Sequence, residues 1–596
     1  MTVLAYVPAI GGTFIWDDDS YVTRNMTLRT GEGLRRIWTE LGASPQYYPL
    51  TLSTFWVEYH IWGLSAGGYH AVNVLLHAGS AVLLWLMLRR LGVKGAWLAA
   101  AIFAVHPVHV ESVEWITERK NVLSGFLYLL AAIAYLNFEG AWERGNAAER
   151  WWWYLAAVVL FAAALLSKTV TSTLPAALLL VIWWKRGRVR SVEVARLLPL
   201  LVMGVGLGLM TAWIERHNVG ARGQDFDLGW VRRVLLAGRI IWFYAAKLVW
   251  PVNLCFIYPR WEVDAGVWWQ WLYPLGVVGV IAALWVMRER FGRGPLAAFL
   301  FFAGTLFPAL GFVNVYPMRF SYVADHFQYL ASIGFIVLIA ACLVRVGGLI
   351  GRNGAAAGSV IILVMLSVLT WRQAEAYAMP ESLWRTTVRR NPRAWMAHTN
   401  LGVLLLDRAE AATRAGDSAG ARRDFAEAEE EFRETGRLVS WHLEPWMNLG
   451  RVAELRGDYA AAEWWLKKAM RVNPREGEPH FHLGRVLAEQ GKAEAAIAEY
   501  RTAIELNPER EPTYVNLGLL LADQGKPAEA IACYQSALRV QPDSIRARTA
   551  LGFALMQTGK FAGAAAEFRR ALALDPNFAA AREGLAEAGK AAGGGR

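Results

Sequence analysis

The stretch LGRVLAEQGKAEAAIAEYRTAIELNP, residues 483–508, is one copy of a pattern that returns every 34 residues towards the C-terminus. Pro474, Pro508, Pro542 and Pro576 keep that period, as do the pairs Leu449-Gly450, Leu483-Gly484, Leu517-Gly518 and Leu551-Gly552. Small residues (Ala462, Ala496, Ala530, Ala564), bulky ones (Leu466, Tyr500, Tyr534, Phe568) and a second alanine series (Ala469, Ala503, Ala537, Ala571) hold the same phase. Gly and Ala at fixed positions allow helices to pack closely, and the proline closes each unit, so the stretch reads as a stack of helical hairpins. A further unit starts near Trp395, with Leu401-Gly402, Ala428 and Phe432 in phase once a 14-residue insertion around Ala411 to Asp424 is allowed.

This is the tetratricopeptide pattern. It predicts about five repeats over 393–577, then a capping helix and tail over 578–596. Such arrays bind peptides or proteins on a concave surface, but the pattern names no ligand.

Residues 1–372 have a different character. The chain of 596 residues is 55% hydrophobic, and its apolar residues concentrate before Trp371 in long runs broken by short polar loops. A run of about 20 apolar residues crosses a bilayer. Eleven spans are predicted, near 1–15, 70–88, 95–108, 121–138, 151–167, 170–184, 197–213, 270–287, 294–311, 327–345 and 355–371. The first has no basic leader and no clear cleavage site, and reads as the end of a helix whose beginning is missing or misassigned. The fold class is therefore all-α, a polytopic membrane bundle over 1–372, a linker over 373–392 and a helical solenoid. The net charge of +11 gathers beside apolar runs, which is the pattern of membrane topology and not of nucleic-acid binding. Cys255, Cys342 and Cys533 include no CxxC, so they indicate neither a disulfide framework nor a cysteine metal site.

Basic loops at Arg89–Lys94, Lys185–Arg196 and Arg288–Arg293 fall on one face and mark it as cytoplasmic. The opposite face then carries the loop after residue 15, the loop 106–120, Lys168, the segment 214–269, the loop 312–326 and the repeats. Residues 231–250 are apolar but interrupted by Arg232, Arg233, Arg239 and Lys247, so they are expected to lie in the interface.

On that outer face stands Phe14-Ile15-Trp16-Asp17-Asp18-Asp19. Adjacent carboxylates repel and need water, a metal or basic partners. His106, His109, Glu111 and Glu114 offer donors for a divalent metal, whose role stays open, but Pro107 breaks any helical spacing between the two imidazoles and favours a hydrogen-bonded loop that shapes a site. His70, Asn73 and His77 share one helix face near the outer end of a span. The 29 tryptophans read mostly as an interfacial belt.

Phe14-Ile15-Trp16-Asp17-Asp18, Tyr48-Pro49-Leu50, Tyr69-His70 with Asn73 and His77, His106-Pro107-Val108-His109, Glu118 to Ser124, Ser167-Lys168 and Val323-Ala324-Asp325 together resemble the motifs of the transmembrane and TPR-repeat O-mannosyltransferases and their bacterial relatives. These are C-type glycosyltransferases, polytopic enzymes using a polyprenyl-phosphate sugar donor. The resemblance covers nearly the full length. It implies a catalytic acidic pair, which maps onto Asp17 and Asp18. Two positions depart from it, Tyr48 where relatives often have Arg, and Asp325-His326-Phe327 where they have Asp-Arg-Tyr.

The chemistry asks for the same parts. Phosphate is a good leaving group whose charge needs stabilising, and the acceptor hydroxyl needs a base. Asp17 or Asp18 supplies the base; Arg119, Lys120, Lys168, Arg239 and Lys247 are the candidates for the donor phosphate, and His70, Asn73, His77, His106, His109, Glu111, Asp325 and His326 for shaping the site. The expectation is transfer of a hexose, mannose by resemblance, to a protein Ser/Thr hydroxyl outside a bacterial inner membrane, with the repeats engaging a protein or peptide acceptor. Transfer to a glycan or lipid, or a non-catalytic membrane-anchored scaffold, are the alternatives.

Overall fold

The computed structural model describes residues 1–593, and every regular element among them is helical. The chain divides into two compact units, Met1–Ala394 and a second beginning at Trp395.

In the first unit, seven helices among the described residues are long and apolar enough to cross a membrane: Ala66–Arg90, Ile116–Glu143, Ala148–Ser167, Ser191–Val219, Trp268–Val286, Ser332–Leu349 and Arg352–Tyr377. Ala96–Ala104 and Pro107–Glu114 meet the same test together as a pair bent by 51°. The break falls where Pro107 holds His106 in extended backbone (φ −81°, ψ 126°) and cannot donate to the preceding turn.

Counting that pair as one span, eight of the eleven predicted segments have the required length. The other three are shorter. Residues 1–15 form two four-residue turns, Thr2–Ala5 and Val7–Ile10, with Pro8 at the start of the second. Residues 170–184 begin as a 3-10 segment, Thr169–Thr173, and leave 13 residues of α-helix, Leu174–Arg186. Residues 294–311 give the 12-residue helix Gly294–Thr305, ended before Phe307-Pro308. The interrupted stretch 231–250 forms the helix Trp230–Val249, which is absent from the membrane-crossing set. It buries Leu235, Leu236, Ile240, Ile241, Tyr244 and Leu248 on one side.

The predicted linker 373–392 is a correction. The helix Arg352–Tyr377 runs into it, and Pro380–Arg390 follows with Leu383, Trp384 and Thr387 buried. Asn391 Nδ2 donates to Ile257 O at 3.0 Å, and Arg390 donates to Leu254 O and to Gln373 Oε1. An apolar stripe at helical spacing lay inside a stretch that looked polar overall, and it docks on the first unit.

Among the described residues the second unit holds five antiparallel helix pairs and a terminal helix. The pairs are Trp395–Arg414 with Ser418–Leu438, Glu444–Leu455 with Tyr459–Val472, Gly477–Glu489 with Ala493–Leu506, Glu511–Asp523 with Pro527–Val540, and Ile545–Gln557 with Phe561–Leu574; Ala579–Gly593 ends the array. The insertion in the first repeat lengthens its two helices to 20 and 21 residues and leaves the hairpin intact. The periodic Leu-Gly pair has a steric cause. A β-carbon at Gly484, Gly518 or Gly552 would stand 2.7, 2.5 or 2.6 Å from the ring of Tyr500, Tyr534 or Phe568, the bulky residue of the paired helix. Gly518→Ala is therefore expected to cost about 1–3 kcal/mol by overpacking. Hydrogen exchange of the amides in Glu511–Asp523 should accelerate while exchange in the first unit stays unchanged.

Candidate active site

Trp16 adopts a left-handed backbone, φ 46°, which a bulky residue rarely accepts. An aromatic box holds it: Trp115 stacks on Trp16 with centroids 5.3 Å apart, and Phe256 meets both rings edge-on at 5.4 and 5.3 Å. The twisted backbone gives the next two carboxylates different surroundings. Asp18 is fully buried, accepting from Ile15 N–H at one oxygen (2.8 Å) and from the Thr117 N–H (2.8 Å) and hydroxyl at the other. Asp17 is half-buried and accepts the Trp115 indole N–H at 2.9 Å on Oδ1. Asp19 turns outward to Thr23 and Arg24.

Two cations converge on Glu118, which with Lys120 acts on the Asp17 charge. Glu118, nearly inaccessible, takes the Lys120 ammonium at 3.0 Å on one oxygen and the Lys168 ammonium at 2.9 Å on the other. Lys120 also lies 5.4 and 5.7 Å from the ring centres of Tyr21 and Trp115. Lys168 is presented by extended backbone just past the helix that ends at Ser167, and burial holds its ammonium below the usual lysine range. Burial pushes the Asp17 carboxyl up to about 6, with Lys120 opposing the rise. Burial and then the charge on Asp17 push Asp18 up to about 8. Both carboxyls are thereby held above the usual carboxylate range.

The other candidate cations are spent elsewhere. Arg119, one residue from Lys120, is fully buried and forks onto Glu58 at 2.5 and 3.2 Å. It also donates to Tyr69 O at 2.8 Å, to Thr54 Oγ1 and to Asn73 Oδ1. That occupies the whole guanidinium. Arg239 lies over Trp261 at 4.3 Å, and Lys247 donates to Val252 O and Asn253 O at 2.7 and 3.3 Å.

Several of the predicted shaping residues act on the segment that carries Trp115 and Thr117. Asn73 Nδ2 donates to Val113 O at 3.1 Å and to Trp115 O at 3.4 Å. Glu111 joins His326 Nδ1 at 2.7 Å and accepts the Asp325 N–H at 3.0 Å; the His326 ring stands edge-on to Trp115 at 5.7 Å, and burial pushes the imidazole down to about 3, so it is neutral. Tyr258 donates to both Asp325 oxygens, at 3.0 and 3.1 Å. The remaining histidines serve the frame. His77 Nδ1 bonds the Tyr329 hydroxyl at 2.9 Å, His106 Nε2 bonds Leu248 O at 3.1 Å, and His109 bonds Phe103 O at 2.8 Å and Ser332 at 2.9 Å. His70 is buried against Gly12. Among the described residues no group of three or more His, Cys, Asp or Glu side chains is arranged to hold a metal ion. Sequence reasoning missed the roles of Trp115, Thr117 and Glu118. The signal available was an acid set directly against two basic residues, Glu118-Arg119-Lys120, ahead of an apolar run.

A family model described as tetratricopeptide repeat matches residues 515–579 and 549–593, and one described as TPR repeat matches 484–525. A protein O-mannosyl-transferase of Caenorhabditis elegans is 23% identical over 440 residues, 68% of this chain and 59% of its own length. Those of Xenopus laevis and Homo sapiens are 32% and 29% identical over 145 and 160 residues, covering 22% and 23% of this chain and 17% and 22% of their own. The curated homologues of this chain are protein O-mannosyl-transferases. The chain spans 59% of the length of the worm protein and far less of the other two. Among solved structures, MamA is 26% identical with a TM-score of 0.25, over 27% of this chain and 94% of its own. YrrB, described as a TPR protein with an unusual peptide-binding site, is 18% identical with a TM-score of 0.25, over 34% and 96%.

If Arg119 is framework, Arg119→Leu should strand Glu58 as an unpaired buried charge and cost about 3–5 kcal/mol. Thermal unfolding of the purified protein should drop sharply for Arg119→Leu and little for Lys120→Gln. A normal melting curve in Arg119→Leu would return Arg119 to the set of candidate phosphate ligands.

Proposed function

We propose that the first unit is a C-type glycosyltransferase that moves a hexose, mannose by kinship, from a polyprenyl-phosphate donor to a Ser or Thr hydroxyl of a protein on the extracytoplasmic face. One observation carries the reading. A half-buried carboxylate, Asp17, lies in the field of Lys120, whose counter-charge Glu118 also holds Lys168. In this reading Asp17 takes the proton of the acceptor hydroxyl as its oxygen bonds to the anomeric carbon. The bond from that carbon to the phosphate oxygen breaks, and the phosphate leaves with the electron pair. Lys120 and Lys168 meet the charge on the departing phosphate, where fixed cations in a dry site act more strongly than in water. Asp18, held by Ile15 and Thr117, fixes the loop. No step in this reading needs a divalent cation.

The basic loops at 89–94, 185–196 and 288–293 support an outer location for this site and for the repeats, in a bacterial inner membrane. The repeats would engage the protein acceptor, a role in keeping with the tetratricopeptide match. Reporters fused after Trp371 should read as extracytoplasmic and those within 185–196 as cytoplasmic; a cytoplasmic reading for the repeats would remove them from acceptor selection.

Asp17→Asn keeps the shape but cannot take a proton. Transfer should fall by about 10²–10⁴-fold with donor affinity and melting temperature retained. In the wild type, the base is active only when ionised, so transfer should be level above about pH 7 and fall to half its plateau near pH 6. Lys120→Gln and Lys168→Gln should weaken donor binding together with transfer. Undiminished transfer in Asp17→Asn would end the assignment of Asp17 as the base, and absence of transfer in the wild type would favour a scaffold.

A further inference from the structure

The tryptophans of the second unit are unevenly placed. All five, Trp395, Trp441, Trp446, Trp464 and Trp465, belong to the first two helix pairs, and none stands between residue 466 and the C-terminus. Four of them form a row. Trp464 meets Trp465 edge-on at 4.4 Å, Trp465 stacks on Trp446 at 5.7 Å with the planes 7° apart, and Trp446 Nε1 donates to Ser440 O at 3.1 Å, one residue before Trp441. Trp446 is buried over Gly436 and serves the frame. Trp464 and Trp441 are 57% and 70% exposed. The array supplies its own comparison. One, two and three periods further on, Trp464 gives way to Ala498, Ala532 and Ala566, and Trp441 to Arg475, Glu509 and Asp543. Helix pairs of the same architecture therefore form without either indole.

A cation accompanies the rings. Lys468 Nζ lies 3.4 Å from the ring centre of Trp446 and 5.4 Å from those of Trp464 and Trp465. Its neighbour Lys467 is paired with Glu463 at 2.6 Å, whereas Lys468 meets no carboxylate among the described residues. Exposed indoles beside an ammonium without a counter-charge suit the bilayer interface, where the rings sit at headgroup level and the cation meets lipid phosphate. Position in the chain points the same way. The last helix of membrane-crossing length ends at Tyr377, and only the helix Pro380–Arg390, docked on the first unit, separates it from Trp395. The repeats that the chain holds within shortest reach of the bilayer carry the rings, and the later ones carry none. We propose that the first two helix pairs rest on the membrane surface, with Trp441 and Trp464 in the headgroup layer and Lys468 on a lipid phosphate. The inference holds for an enzyme and a scaffold alike and for either face of the membrane, since both leaflets present such a layer.

The test uses the full chain in nanodiscs of phosphatidylcholine and phosphatidylglycerol, with Cys255→Ala, Cys342→Ala and Cys533→Ala as background. A fluorophore attached through Lys467→Cys, beside the intact rings, is compared with one attached through Arg569→Cys, the same position three periods on. Lipids bearing a nitroxide on the headgroup should quench the 467 label at least ~5-fold more than the 569 label, and less as salt rises. Trp464→Ala, which installs the residue of the later repeats, should lower the ratio of docked to free array by about 10-fold. Lys468→Gln should lower it by about 5-fold, with the melting curve kept in both variants. Equal quenching at the two labels, no quenching at 467, or full quenching in both Trp464→Ala and Lys468→Gln would overturn the proposal. Shielding of the 467 label from aqueous iodide without nitroxide quenching would do so too, because protein and not lipid would then cover the rings.

Discussion

Arg119 has no water to fall back on. Its guanidinium is fully buried and every N–H is directed at an oxygen of the protein, two of them on Glu58. An ion pair in that position contributes little net stability compared with apolar residues of the same shape, but removing either half leaves a charge that nothing else satisfies. The pair consequently acts as a register pin. It fixes the start of the helix Arg119–Glu143 against Pro49–Trp62 through Glu58 and against Ala66–Arg90 through Asn73 and Tyr69. Asn73, held from one side by Arg119, in turn holds the Val113 and Trp115 carbonyls. The short segment 113–120 is thereby clamped at both ends, and from it come the indole, the threonine and the Glu118–Lys120 pair that surround the two aspartates.

The parts of this architecture that were legible in the sequence are those where chemistry repeats or clusters along the chain. The 34-residue recurrence disclosed the array because each glycine answers a ring in its partner helix, a constraint renewed in every copy. Asp17 and Asp18 stood out because adjacent acids after an apolar run need an explanation. The division of labour between Arg119 and Lys120 was hidden for a geometric reason: neighbours on a helix point about 100° apart, so one can lock the bundle while the other faces the aspartates. Glu118 was hidden for the complementary reason, since its two partners lie two and fifty residues away and only the fold brings them to one carboxylate.

Apolar composition announced the membrane bundle but not the lengths of its members. Pro8, Pro175 and Pro308 sit inside or beside the three segments that came out short, where proline ends or restarts a helix whatever the surrounding hydropathy. The stretch 373–392 erred the other way, since a few buried side chains, Leu383 and Trp384 among them, dock a helix that its composition gave as linker.

The break at Pro107 has a consequence in plain trigonometry. Eight residues, Pro107–Glu114, follow the 51° bend and advance roughly 12 Å along their own axis at the α-helical rise. Tilted by that angle, their far end lands about 9 Å to the side of where an unbroken rod would have put it. Because Trp115 is the next residue, that offset decides where its indole N–H can meet Asp17. The carbonyls orphaned by the break do not go unmet, for Phe103 O bonds the His109 imidazole and Val105 O takes the Thr370 hydroxyl. His109, which at first suggests a metal ligand, is in this sense a splint, standing in for an amide hydrogen that a continuous helix would have supplied.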